Sequence, residues 1–124
     1  MKISTEICSL SKHVGEEKAI EMLAKAGFDC WDFSMFEMGR IDWSTYTLVE
    51  SNHPLAGREY LAFARKLKQI GQSCGIECNQ SHAPFPVRVK AILDLQKRAI
   101  ECTAEAGGKI CIVHPDNNSS AEKN

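Results

Sequence analysis

The sequence predicts an α/β fold in which parallel strands alternate with helices, and three observations lead to this prediction. Strand-like and helical segments alternate along the whole chain. Residues 110–116 form an apolar run that ends in His114, Pro115 and Asp116, as a buried parallel strand with a polar end does. Residues 76–85 have the same layout, with His82 just ahead of a proline that ends the strand.

The composition fits one globular domain. The chain has 124 residues, of which 44% are hydrophobic, and this is enough for one core but too little for two. The net charge is −1 and the charges are mixed, so we expect no nucleic-acid and no membrane partner. No apolar run approaches the roughly 18 residues of a membrane span, and no signal region precedes the first strand. We therefore expect a cytoplasmic protein.

The six cysteines do not form a disulfide pattern. They are spread over strand-like and helical segments, and no two have the C-x-x-C spacing. We expect them to be reduced and to act as small core residues.

The first half of the chain gives two strands and one helix. Residues 2–8 alternate in polarity as a strand does, and residues 9–14 are polar and loop-like. A helix follows from Gly15, with an apolar stripe of period 3.6, and Gly27 ends it. Residues 30–36 form the second predicted strand.

The segment 37–53 has no convincing period and contains two aromatic residues, Trp43 and Tyr46. Loops of this length are uncommon in compact domains and often functional. Two interpretations stay open, a surface connection whose aromatic residues pack on the nearest helix, or a lid over a substrate.

The second half of the chain gives two helices around one strand. Residues 54–74 carry a strong apolar stripe that ends at Gly75, and a further helix covers residues 87–106. The predicted apolar stripe of this further helix consists of Val89, Ile92, Leu93, Gln96, Ala99, Ile100 and Thr103. The element order β-α-β-α-β-α-β predicts a parallel sheet with right-handed crossovers.

Residues 119–122 have the spacing of a capping box, with Ser119 at the N-cap and Glu122 at N3. This pattern predicts that a fourth helix begins here and is cut short. The alternative is a frayed polar tail.

Strand alternation places five polar residues on one face, each near the C-terminal end of a strand: Glu6, Asp32, Gln80, His82 and His114. Parallel sheets bind ligands at that end. Each residue alone also fits a structural role, as a hydrogen-bonded histidine, a helix cap or an ion pair. The recurrence of histidine before proline favours a site for the two histidines. His13 and His53 lie in predicted polar loops and receive no role.

Three short segments carry a resemblance to a known family. They are QSHAPF at residues 80–85, VHP at 113–115 and AGFD at 26–29, each next to a predicted strand. In order and spacing they resemble the first half of the xylose isomerase-like TIM barrels. That superfamily contains sugar-phosphate isomerases and epimerases, hydroxypyruvate isomerases and apurinic-site nucleases of the endonuclease IV type.

The resemblance implies a single partial domain over residues 1–124, with the first four strands and three helices of a barrel. It implies a sugar or sugar-phosphate isomerase or epimerase that needs Mn, Mg, Co or Zn. The main metal ligands of such enzymes lie on the fifth to eighth strands, and so do their acid–base carboxylates. By likeness to the endonuclease IV pattern, His82 and His114 are metal ligands, whereas in the sugar enzymes this region, with Gln80 and Glu6, faces substrate. No catalytic residue is assigned.

A half-barrel has physical consequences. A complete barrel takes about 250 residues and eight strands. Four strands alone leave two unpaired edges and an uncovered inner face, so we expect a fragment of a longer product, a homodimer through the sheet edges, or an open sheet. The alternatives to an isomerase are an endonuclease IV-like zinc phosphodiesterase and a non-catalytic half-barrel that assembles with another chain. We expect no substantial turnover from these 124 residues alone.

Overall fold

The structure is a computed structural model that describes residues 1–116, 120 and 122 of the chain. The elements in chain order are β1 (Ser4–Glu6), α1 (Cys8–Val14), α2 (Glu16–Lys25), β2 (Cys30–Ser34), β3 (Ile41–Asp42), β4 (Thr47–Leu48), α3 (Tyr60–Cys74), β5 (Glu77–His82), α4 (Lys90–Leu93), α5 (Gln96–Ala106) and β6 (Ile110–Ile112). Single 3-10 turns occur at Phe36–Met38 and Pro54–Ala56.

Four strands form one parallel sheet in the order β1-β2-β5-β6. The predicted α/β fold with a parallel sheet is therefore confirmed, and within the described residues β1 and β6 are the two edges. The prediction of a fully buried strand at 110–116 is wrong. Strand β6 ends at Ile112, and the Ile110 side chain is 56% exposed because β6 is an edge of the sheet that the described residues form.

One face of the sheet packs against helices α2, α3 and α5 and forms the core. Trp31 and Phe33 of β2 are fully buried there, with an edge-to-face contact of 5.4 Å between ring centroids. Burying each such side chain contributes about 1.5–3 kcal/mol. Ser81 and Thr103 join β5 to α5 through a buried hydroxyl pair at 2.6 Å. All six cysteines are free.

Two helices end where their glycines predict. Gly75 and Gly107 adopt left-handed conformations, with φ of +79° and +92°, directly after α3 and α5. A residue with a Cβ is disfavoured in this region, so glycine allows each helix to stop and turn into the next strand.

Two predicted boundaries at the start of helices are wrong. Residues 9–14, predicted as a loop, belong to α1, because the Glu6 carboxylate accepts the Ser9 N–H and so stabilises the start of this short polar helix. The helix predicted from residue 54 begins at Tyr60, and a separate 3-10 turn precedes it.

The helix predicted over 87–106 is interrupted between α4 and α5. Its predicted apolar stripe is wrong at Leu93 and Ile100, which are 53% and 56% exposed. The interruption breaks the helical phase, and the buried stripe of α5 then runs through Ala99, Cys102, Thr103 and Ala106.

The segment 37–53 contains a structure that the sequence did not predict. Strands β3 and β4 form a short antiparallel hairpin in which Ile41 pairs with Leu48. Asp42 begins its turn, because the carboxylate accepts the Ser44 N–H at 2.8 Å. Trp43 and Tyr46 are each more than half exposed and lie against one another. The lid interpretation stays a prediction.

A helix start was predicted at residues 119–122. Its N-cap residue, Ser119, lies outside the described residues. Within the described part of the chain, none of the helices has the length and apolar character needed to cross a bilayer.

Candidate functional site

The polar face of the sheet depends on a bulge in β5. Trp31 pairs with Cys78, but the next residue, Asp32, pairs with Gln80, so Asn79 is an extra residue in β5. A bulge changes the phase of side-chain alternation. The side chains of Gln80 and His82 therefore lie on the same face as Asp32, away from the helices.

Asp32 is the centre of a buried hydrogen-bond cluster. The residue is 4% exposed, and its Oδ2 accepts a hydrogen bond of 2.6 Å from Gln80 Nε2. Its Oδ1 lies 2.9 Å from His82 Nδ1. Because an ionised carboxylate can only accept, the network assigns the proton to Nδ1 of His82. The lone pair of the neutral imidazole is then on Nε2.

The two predicted histidines lie side by side. The rings of His82 and His114 are stacked, with centroids 5.3 Å apart and planes at 19°. Ile112 pairs with His82, which brings His114, two residues further along, to the same edge of the sheet. This confirms the prediction that both imidazoles share one opening. Phe85 packs against His114, with centroids at 5.5 Å.

A cleft of about 440 Å³ opens at this edge, and we call it the histidine cleft. It is lined by Glu6, Cys8, Ser9, Lys12, Ser34, Phe36, His82, Phe85 and His114. Phe36 and Phe85 form an aromatic wall, with an edge-to-face contact of 5.3 Å between centroids. The cleft therefore combines an apolar wall with hydroxyl, carboxylate and imidazole groups, which suits a small polar ligand.

The predicted substrate residues Glu6 and Gln80 have different positions. Glu6 lines the histidine cleft and at the same time accepts the backbone N–H of Ser9 at 3.1 Å. Gln80 is not among the lining residues, because its amide is directed to Asp32. Gln80 therefore holds the carboxylate that orients His82.

The sequence gives a partial signal or none for several other residues of the site. Strand alternation predicts the correct face for Asp32 but not its role, since alternation does not show which side chain Asp32 binds. Ser34 and Phe36 reach the cleft only because β2 ends there. The His-Ala-Pro motif directly before Phe85 is the sequence signal that could have indicated Phe85 as a residue of the site.

His53 has a structural partner that the sequence did not indicate. The Nε2 atom of His53 lies 3.0 Å from Oε1 of Glu16, and Glu16 is 7% exposed. The Nδ1 atom of His53 accepts a hydrogen bond of 3.2 Å from the Leu55 N–H. The imidazole thus connects the Pro54–Ala56 turn to the start of α2. His13 lies in α1, not in a loop, and is exposed.

The residues described fit only part of a metal site. Among residues 1–116, 120 and 122, no three or more His, Cys, Asp or Glu side chains are grouped so that they could hold a metal ion. His82 and His114 offer two neighbouring imidazoles, and Asp32 orients one of them as carboxylates orient metal-binding histidines. The metal remains a prediction.

Comparison with protein-family models, with curated proteins and with solved structures finds no match for this chain.

Proposed function

We propose that the histidine cleft is part of the substrate site of a divalent-metal-dependent sugar or sugar-phosphate isomerase or epimerase, a proton-transfer enzyme acting next to a carbonyl. On this proposal the four parallel strands are the first half of a barrel. Further strands supply the acid–base carboxylates and the remaining metal ligands.

The observation that carries the proposal is the Asp32–His82–His114 arrangement. A carboxylate that is 4% exposed holds His82 through Nδ1, at the C-terminal end of a parallel strand. The Nε2 atom of His82 has no hydrogen-bond partner among the described residues, and the His82 ring lines an open cleft. His53 uses both ring nitrogens in contacts within the fold, whereas His82 keeps one nitrogen for a ligand in the cleft.

Each side chain has a role in this proposal. His82 presents its Nε2 lone pair to a substrate hydroxyl or to the metal, and His114 supplies the second nitrogen. Glu6 accepts a hydrogen bond from a sugar hydroxyl, while Gln80 positions Asp32. A divalent metal held by His82 and His114, with ligands from further strands, would acidify the carbon next to the carbonyl. Phe36 and Phe85 exclude water from one side of the cleft.

Mn²⁺ titration followed by NMR tests the proposal, because a paramagnetic ion broadens resonances near its site. We expect selective broadening around His82 and His114, and its loss in His82→Ala and His114→Ala. His13→Ala is the matched control, since this histidine is exposed on α1. Broadening that is unselective, or equal in all variants, would contradict a metal role for the two imidazoles.

Turnover of sugars by these 124 residues at enzymatic rates would contradict the need for further strands. A deuterium-exchange assay of ketoses with Mn²⁺ measures this directly.

The edges of the sheet favour a second candidate function, assembly of two copies. Strands β1 and β6 are edges within the described chain, and the nearby side chains of Ile3, Ile110 and Val113 are 52%, 56% and 47% exposed. Exposed apolar edges pair readily with another chain. Light scattering should show a stable dimer that Ile110→Lys dissociates, whereas a monomer at high concentration would exclude this function.

A further inference from the structure

A second hollow of about 260 Å³ adjoins the histidine cleft, and we call it the tryptophan hollow. Phe85 and His114 line both spaces. The other walls of the tryptophan hollow come from Trp43, Pro86, Arg88, Pro115 and Asp116. A ligand seated at the imidazoles can therefore extend past Phe85 towards Trp43.

The hairpin of β3 and β4 presents Trp43 on an anchored support. The Trp43 side chain is 56% exposed, although a large aromatic ring is most stabilising when it is buried. A Cβ on Gly39 would lie 2.5 Å from Leu95 Cδ1 and 3.0 Å from Ile92 Cδ1, so the backbone just before β3 packs directly against these two residues. The exposed ring therefore needs little further ordering when a ligand binds.

Tyr46 supports the indole of Trp43 at the turn of this hairpin. The Tyr46 backbone has a φ of +54°, a left-handed conformation that is unfavourable for a residue with a Cβ. Its ring makes an edge-to-face contact with the Trp43 ring, with centroids 6.4 Å apart. Backbone strain of this kind clusters at ligand-binding surfaces. Strain and exposure together indicate that the Trp43 ring is placed to contact a ligand.

The charged walls of the tryptophan hollow form one ion pair. Arg88 Nη1 donates to Oδ1 of Asp116 at 2.9 Å, and Asp116 is 6% exposed. With His114 neutral, the charges of the lining residues therefore cancel. The Arg88 guanidinium also lies over the Trp43 ring, 6.0 Å from its centroid. A neutral ligand fits this hollow better than an ion does, because no unbalanced charge is present to offset the desolvation of an ion.

A sugar ring has the chemistry that these walls require. The C–H groups on one face of a pyranose give an apolar surface that can pack on an aromatic ring. Its hydroxyl groups both donate and accept hydrogen bonds. Arg88 carries five N–H donors and directs one hydrogen bond to Asp116, so a sugar hydroxyl can accept from another of them. A wholly apolar ligand would desolvate the guanidinium without offering it an acceptor.

We propose that Trp43, Phe85 and Arg88 form a subsite for a second, neutral sugar ring, so that the ligand of the histidine cleft is a disaccharide or another glycoside. The second ring packs on Trp43 beside Phe85, and Arg88 donates to one of its hydroxyl groups. This inference rests on the proposed function, because it names the substrate class of the same site.

NMR titration tests the proposal selectively, since the chain has two tryptophans and Trp31 is fully buried. The probes are cellobiose, maltose, lactose and xylobiose, with glucose, galactose and xylose as the matching single rings. We expect at least one disaccharide to shift the Trp43 indole N–H and the His82 amide with one dissociation constant, while Trp31 does not shift. This disaccharide should bind at least fivefold more tightly than its single rings.

Three outcomes of this titration would overturn the proposal. The first is that none of the four disaccharides gives a saturable shift at Trp43. The second is equal affinity for each disaccharide and its single rings, because the second ring would then add nothing. The third is tighter binding of benzyl alcohol than of any disaccharide at Trp43, which would show a site for flat apolar rings.

Variants test the individual residues, with binding followed at the His82 amide. Trp43→Leu and Arg88→Gln should each weaken disaccharide binding at least fivefold, whereas Trp43→Tyr keeps an aromatic face and should stay within threefold. Lys90→Gln is the matched control for the lost charge, since this exposed cation of α4 lies outside both spaces, and the affinity should stay within twofold.

The exposed position of Trp43 keeps the test valid if Arg88→Gln disturbs folding at the buried Asp116. Trp43→Leu should remain folded, because the ring is more than half exposed. Disaccharide binding by Trp43→Leu as tight as that of the wild type would overturn the proposal, and so would equal losses in Arg88→Gln and Lys90→Gln.

Mn²⁺ titration distinguishes the failure of this inference from failure of the proposed function. If Mn²⁺ broadening at His82 and His114 is absent while a disaccharide binds as expected, only the metal-dependent isomerase proposal is contradicted. If Mn²⁺ broadening is selective and no disaccharide binds at Trp43, only the subsite for a second ring is contradicted.

Discussion

Replacement of Asp32 tests the hydrogen-bond cluster behind the histidine cleft. Asp32→Ala removes both acceptors and leaves the Gln80 amide and His82 Nδ1–H without partners in a site where Asp32 is 4% exposed. Each hydrogen bond to a charged group contributes about 1.5–3 kcal/mol, but removing the carboxylate also recovers its desolvation cost. The expected loss in the free energy of unfolding is therefore about 3 kcal/mol.

Asp32→Asn should cost less, because an amide can satisfy both partners. Its oxygen accepts from Gln80 while its NH₂ group donates to His82 Nδ1, provided that the imidazole proton moves to Nε2. We expect a loss of about 1–2 kcal/mol. Urea denaturation measures both variants, with Asp94→Asn as an exposed control that should have no measurable effect. An Asp32→Ala protein as stable as the wild type would refute this reasoning.

Three further predictions concern stability. Gly71→Ala should lower the free energy of unfolding by about 1–3 kcal/mol in urea denaturation, because the new Cβ would lie 2.9 Å from the Ile76 carbonyl oxygen; a gain, as in exposed helices, would contradict the packing. Burial raises the pKa of the Cys78 and Cys102 thiols to about 12. As the pH rises, the unfolded chain loses these protons before the folded protein does. The free energy of unfolding should therefore fall between about pH 9 and pH 12, by up to about 1.4 kcal/mol per thiol and pH unit. A protein with both Cys78→Ala and Cys102→Ala should show a smaller fall when denaturation is measured at several pH values. Thr103→Val should lower the free energy of unfolding by about 1–2 kcal/mol, because it removes the partner of the buried Ser81 hydroxyl. Thermal or urea unfolding measures this, and an unchanged midpoint would argue against the Ser81–Thr103 hydrogen bond.

The parts of the fold that follow from local pattern could be predicted from the sequence. The apolar run before His114, and the matching layout of the segment between Gly75 and the proline after His82, indicated parallel strands. Gly75 and Gly107 marked helix ends where a positive φ is needed. These signals depend on one residue or on a short period, so they survive without tertiary context.

The errors occur where tertiary contacts decide. Helix α1 depends on a carboxylate from the preceding strand, Glu6, which periodicity cannot show. Exposure of Ile110 depends on β6 being an edge, and that follows from strand order. Ile100 looked like a core residue until the interruption between α4 and α5 changed the phase of the stripe.

The candidate site was predicted in outline only. The shared edge of His82 and His114 followed from two parallel strands of similar layout. The carboxylate that orients His82 comes from a strand 50 residues earlier in the chain, and its partner depends on the bulge at Asn79. Such long-range pairing has no signature in a single sequence.

The tautomer of His82 tests the account most directly, and long-range ¹H–¹⁵N correlation spectra of the histidine rings measure it. With Asp32 ionised and bound to Nδ1, the neutral ring should carry its proton on Nδ1, and in Asp32→Asn the proton should move to Nε2. A wild-type ring protonated on Nε2, or the same tautomer in both proteins, would contradict a carboxylate-held imidazole that offers its lone pair to the cleft.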